Sequence, residues 1–164
     1  MKSKLILLSI LLLAAFQFSY AQSDKKSRQD KETITTERIK DILESQDFTF
    51  QAQRMNPMRG GVRYLTGGYD LRVSKDELRS FLPYFGRVYM MPMTPAEGPL
   101  RFDSRDYAYQ VKEKGKGTWE VLISPKDVHT VQQLRLTIYD NGNANLSVQT
   151  TNRQPISFDG YISA

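Results

Sequence analysis

The chain has 164 residues, 23 Lys and Arg against 18 Asp and Glu, one His and no Cys. That excludes a disulfide scaffold, a cysteine nucleophile and a Cys-based zinc site, and leaves His129 as the sole histidine for any triad or His-ligated metal. The length fits one small domain.

Met1-Lys2-Ser3-Lys4 is a positive start, Leu5–Phe16 is apolar except for Ser9, and Ser19-Tyr20-Ala21 is a small-x-small site. This is the pattern of a signal peptide over 1–21, with an apolar run too short to span a bilayer. A lipoprotein anchor needs cysteine at the junction, where Gln22 stands. The expectation is an exported protein, periplasmic or secreted, not lipidated, with no transmembrane span after cleavage. Cleavage removes Lys2 and Lys4 and no acid, so the net charge falls from +5 to +3, a bias too mild to imply nucleic acid.

Residues 22–32 carry no apolar side chain and read as a flexible polar leader; a single β-rich domain is expected over 33–164. A helix is predicted over about 33–46, because Ile39, Ile42 and Leu43 fall at i, i+3 and i+4. The period then becomes two, and Phe48, Phe50 and Ala52 alternate with polar residues in a strand. Asn56-Pro57 and Gly60-Gly61 mark a turn, 62–65 a short strand and Thr66-Gly67-Gly68 another turn. Tyr69, Leu71 and Val73 form the inner side of the next strand. Ser74 and Glu77 have capping-box spacing, so Leu78, Phe81, Leu82 and Phe85 predict a short helix ended by Pro83 and Gly86.

Extended chain is expected over 87–93 and a Pro/Gly-rich loop over 94–104. Two hairpins follow. Tyr107, Tyr109 and Val111 are set against Trp119, Val121 and Ile123. Leu134, Leu136 and Ile138 are set against Ala144, Leu146 and Val148, across Asn141-Gly142 in a type I′ turn. Ile156, Phe158 and Ile162 close the chain in a last strand. The fold class is mainly β (α+β): an antiparallel barrel or sandwich of about 8–9 strands with one N-terminal helix and one short internal helix.

Catalytic signals are sparse. The Gly-Gly pairs read as turns, and no phosphate-loop pattern occurs. His129 with Asp127 two residues before it has the makings of a base and its orienter, against the simpler reading of an exposed loop histidine. Glu97, Asp103 and Asp106 are the carboxylates for a hydrolase site near 94–106. No catalytic residue, metal or cofactor is assigned. Arg54, Arg59, Arg63 and Arg72 lie around an acid-free stretch with Tyr64 and Tyr69, a composition suited to phosphate or carboxylate. Tyr84, Phe85, Tyr89 and Met91, with Met90 and Met93, are candidates to line a soft apolar pocket. The ligand-binding candidates are therefore Arg54, Arg59, Arg63, Tyr64, Tyr84, Tyr89 and Met91. Lys112, Lys114 and Lys116 form a lesser cationic tip.

The segments Leu82-Pro83-Tyr84-Phe85-Gly86-Arg87 and 152–162 (NRQPISFDGYI), with Asn141–Val148 and the Phe48-x-Phe50-x-Ala52 strand, carry a resemblance over roughly Thr33 to Ile162. The chain resembles the DUF4251 family of Bacteroidetes exported proteins. The resemblance implies a periplasmic protein and supplies no activity or functional residues. The preferred expectation is a non-catalytic binding or interaction module for an amphipathic or anionic envelope ligand. The alternatives are a hydrolase using the 94–106 carboxylates and an assembly protein acting through a sheet edge.

Overall fold

The computed structural model describes residues 36–85, 100–115, 117–151 and 153–163. Helix α1 covers residues 36–45, with Ile39 and Leu43 buried and Ile42 half-buried, as the i, i+3, i+4 spacing requires. Gln46 takes a left-handed φ of 54° and ends it. Ten strands follow among the described residues: β1 (Phe48–Pro57), β2 (Arg63–Tyr64), β3 (Asp70–Val73), β4 (Leu78–Leu82), β5 (Leu100–Ser104), β6 (Tyr107–Gly115), β7 (Thr118–Pro125), β8 (Val131–Tyr139), β9 (Asn143–Thr150) and β10 (Ile156–Ser163).

All belong to one antiparallel sheet in the order β5-β4-β3-β1-β10-β9-β8-β7-β6, with β2 paired to β1 beside the main path. The sheet curls into a half-barrel, so the choice between barrel and sandwich resolves to neither. Two meanders, β3–β5 and β6–β10, are joined through β1. Side chains sort by the pleat. One inward row runs Tyr109, Ile123, Leu134, Val148, Ile156 and Pro57 across six strands; the next runs Val111, Val121, Leu136, Leu146, Phe158 and Met55. From Val121 to Met55 that second row is buried, with Leu136, Leu146 and Phe158 at 0% exposure. Helix α1 lies on this concave side, where Leu43 joins the core and its carbonyl accepts the Tyr109 hydroxyl at 2.9 Å. Burial, with Tyr107 nearby, pushes the Tyr109 phenol up and keeps it protonated as that donor.

The predicted hairpins are present, with register Leu134↔Val148, Leu136↔Leu146 and Ile138↔Ala144 in one and Tyr109↔Ile123 and Val111↔Val121 in the other. Trp119 faces Glu113 across the second pair. The β8–β9 turn is not type I′. Asp140 and Asn141 keep negative φ and only Gly142 is left-handed, at +80°, giving a three-residue loop closed by the Gly142 amide on the Tyr139 carbonyl.

The short internal helix is absent: Leu78–Leu82 is strand β4, with Leu78, Ser80 and Leu82 inward. The capping-box hydrogen bond does form, Glu77 N–H to Ser74 Oγ at 3.2 Å, but the Ser74 amide also donates to the Glu77 carbonyl across a two-residue hairpin loop between β3 and β4. A two-turn helix is marginal alone, whereas β4 pairs with β3 on one side and β5 on the other. Ser80 tolerates burial because its hydroxyl donates to the Leu100 carbonyl, and Phe81 sits outside, stacked on Tyr69 at 5.6 Å. Two further corrections concern turns. Asn56-Pro57 is the end of β1, paired with Ser157 and Ile156, and Leu100–Ser104 is a strand rather than loop. The 87–93 segment lies outside the described residues, as do 94–99.

Two local devices shape the curl. Gly160 faces Ala52, and an added Cβ would stand 1.9 Å from the Gln51 carbonyl oxygen and 3.1 Å from the Phe50 ring. At the corner between β5 and β6, Asp127 accepts from the Ser104 hydroxyl and from the Arg105 and Asp106 amides. These bonds, the Ser104 hydroxyl first, hold its carboxyl below the usual carboxylate range. Gly160→Ala is expected to cost about 3 kcal/mol in chemical denaturation, since backbone cannot yield as a side-chain tip can. Ser157→Ala, on the outer face of the same strand, should stay within about 0.5 kcal/mol of the parent. Because folding depresses the Asp127 pKa, its contribution is complete above the ordinary carboxylate range and is lost as the pH falls through the folded value. The melting-temperature gap between the parent and Asp127→Asn should therefore be widest near neutrality and narrow below about pH 4.

Candidate functional site

Among the described residues the concave side carries α1 and the apolar core. A β-bulge between Ala52 and Arg54 resets β1, returning Met55 to the core opposite Phe158 and aiming Arg54 outward opposite Asp159. There Asp159 is held from three sides. Asn145 Nδ2 donates to Oδ1 at 2.7 Å, Asn56 Nδ2 donates to Oδ2 at 2.9 Å, and the Arg54 guanidinium lies 3.3 Å from Oδ2. Partial burial opposes ionisation, but the two amides and the guanidinium prevail and hold the carboxyl below its usual range. A pocket of about 360 Å³ opens over this group, lined among others by Gln53, Arg54, Tyr139, Asn143, Asn145 and Asp159. A second, of about 470 Å³, lies by Arg79, Phe81, Arg101 and Asp103, where Arg79 is bridged to Glu77 and Asp103.

The candidates named from sequence divide into groups. Arg54 and Tyr64 are cross-strand neighbours, as are Met55 and Arg63. The hairpin end between β1 and β2 exposes Met58, Val62 and Tyr64, the last at 81%, beside exposed Arg59 and Arg63. Arg63 stacks over the exposed Phe85 ring at 3.6 Å. Tyr84 is half-buried, its hydroxyl donating to the Gln154 carbonyl and its ring beneath the Arg153 guanidinium at 5.0 Å. Arg72 stands apart on β3, opposite Arg79. Tyr89, Met91 and the rest of the methionine segment lie outside the described residues.

Asp103 and Asp106 are exposed carboxylates bound to Arg79 and Lys126, and Glu97 lies outside the described residues. His129 is on an exposed turn, while the Asp127 carboxylate is engaged at the β5–β6 corner. Among the described residues no group of three His, Cys, Asp or Glu could hold a metal ion, and no helix is long and apolar enough to cross a membrane. The Asp159 cluster had no local signal: its members come from β1, β9 and β10, with Asn56 and Asp159 103 residues apart.

No curated protein matches the chain. A solved structure, the crystal structure of a DUF4251 family protein from Bacteroides eggerthii, is similar with a TM-score of 0.53 at 13% identity. The similarity covers 79% of this chain and 87% of that one, and at this identity it shows the fold. The family model described as "Domain of unknown function (DUF4251)" matches residues 30–162, and the chain belongs to that family.

Proposed function

We propose that the protein is an exported, non-catalytic binding module that takes an anionic amphiphile at the β1–β2 end of its sheet. The observation that carries this is the composition of one surface. Between Asp47 and Asp70 the chain has no acid, yet it carries Arg54, Arg59 and Arg63 and exposes Met58, Val62 and Tyr64, with Phe85 beside them. Asp159 neutralises Arg54, which leaves the anion to Arg59 and Arg63, neither within ion-pair distance of a carboxylate among the described residues. A guanidinium offers paired N–H donors that match phosphate or carboxylate, and the apolar side chains beside it suit an acyl or aromatic tail. The stack of Arg63 on Phe85 holds one guanidinium in place before binding. Gly60 and Gly61, at φ +100° and +76°, turn the tip tightly with no side chain of their own to obstruct it.

Export rests on the positive, apolar and small-x-small order of residues 1–21. Expression in a Gram-negative host should give periplasmic protein whose N-terminal residue is Gln22 by mass spectrometry; uncut cytoplasmic protein would contradict it. For binding, the purified chain is titrated with short-chain phosphatidylglycerol in free solution and with phosphatidylglycerol vesicles. Both should bind, more weakly as salt rises. The double variant Arg59→Glu/Arg63→Glu should bind at least about tenfold more weakly with an unchanged melting temperature, while Arg72→Glu should bind normally. Equal binding by the double variant would rule out this surface.

A further inference from the structure

The pocket over Asp159 has a different chemistry from the hairpin end. Among the described residues its one guanidinium, Arg54, is matched by its one carboxylate, so they offer no net charge to an anion or a cation. Both carboxylate oxygens already accept N–H donors, so Asp159 is poorly placed to ligate a metal. Most of the remaining polar lining is amide: Gln53, Asn143 and Asn145 each present donor and acceptor together, with Ala144 and Gly160 at the floor. Tyr139, 43% exposed, forms one wall. Tyr161, 40% exposed, lies beside Asn143 in the β9–β10 register and on the same outer face. A fatty or aromatic ligand would strand these amides without partners. A phosphate would find its guanidinium already neutralised.

From this we infer a saccharide-binding subsite on the convex face, formed by Tyr139, Asn143, Gln53 and the Arg54–Asp159–Asn145 group, for a neutral hexopyranose within an oligosaccharide. A pyranose ring is a neutral body with an apolar C–H face and a rim of hydroxyls that both donate and accept. The C–H face lies on a tyrosine ring, and the hydroxyl rim meets the amides and the unused guanidinium N–H groups. The volume of about 360 Å³ holds one or two such rings. The Asp159 network fixes the Arg54 and Asn145 side chains beforehand, which reduces the ordering entropy of binding. Tyr161 extends the platform for a neighbouring sugar unit.

The test titrates the isotopically labelled chain with millimolar maltohexaose, cellohexaose, xylohexaose and chitohexaose and follows backbone amide shifts. At least one oligosaccharide should shift amides clustered at 53–54, 143–145 and 159–160. Tyr139→Ala should weaken that binding about tenfold with at most a small drop in melting temperature, since the side chain is 43% exposed and stands outside the core. Tyr139→Phe should restore it, because stacking needs the ring and not the hydroxyl. Arg59→Glu/Arg63→Glu should bind the sugar as the parent does, which separates this subsite from the hairpin end. Shifts with none of the four sugars, shifts elsewhere, or parental affinity in Tyr139→Ala would each overturn the inference.

Discussion

The pairing of β1 with β10 is the contact on which the rest of the molecule depends. It joins residues as far apart as Thr49 and Ser163 and stitches the β3–β5 meander to the β6–β10 meander. Either meander alone would show an apolar face to water. Joined, they bury Phe50, Leu71, Leu146 and Phe158 around one core with α1 against it. Ordering so long an intervening chain carries a large entropy cost, which must be offset by ladder hydrogen bonds and by apolar burial at about 25 cal/mol per Å². The close approach at Gly160 follows from the same pairing: here the Gln51 carbonyl occupies the space a side chain would need.

The bulge in the same ladder links fold to surface chemistry. Without the extra residue at Gln53, the alternation that buries Phe48, Phe50 and Ala52 would put Arg54 inward and Met55 in solvent. With it, Met55 is buried and Arg54 meets Asp159 outside. One added residue therefore corrects the core and assembles a polar group from three strands. Its carboxylate is only partly buried, so the ion pair adds little stability on its own. The effect that matters is the order it imposes on the neighbouring side chains.

What could be read from the chain followed from local periodicity. The β8–β9 hairpin was legible because Leu134, Leu136 and Ile138 and their partners alternate without interruption around an Asn-Gly. Helix α1 was legible for the same kind of reason, with Ile39 and Leu43 one turn apart. Strand β4 has no clear signal of its own because Leu78, Phe81, Leu82 and Phe85 also satisfy a helical spacing, and because Ser74 and Glu77 make the same side-chain bond in a hairpin loop as in a helix cap. Ser80 is buried and Phe81 lies outside, a reversal decided by the neighbouring strands and not by the residues themselves. At the hairpin end the arginines and Tyr64 were visible in sequence, but the stack of Arg63 on Phe85 joins separate segments and was not. The Asp159 group was invisible for a stronger reason, since it requires both the β1–β10 register and the bulge.

The edges of the sheet are guarded by charge. Strands β5 and β6 terminate the hydrogen-bonded path, and each pairs on one side among the described residues. Exposed backbone donors and acceptors on such strands invite another strand. Here β5 is five residues long and carries Arg101 and Asp103 outward, while β6 presents Lys112, Glu113 and Lys114 in succession near its end. An incoming strand would have to desolvate these charges or match them in register, which raises the cost of adding a strand there. The β1–β2 end differs in that its charge is of one sign: Arg59 and Arg63 stand beside exposed Met58, Val62 and Tyr64 at a glycine tip. Assembly through an edge therefore fits this charge distribution less well than the proposed binding at the β1–β2 end.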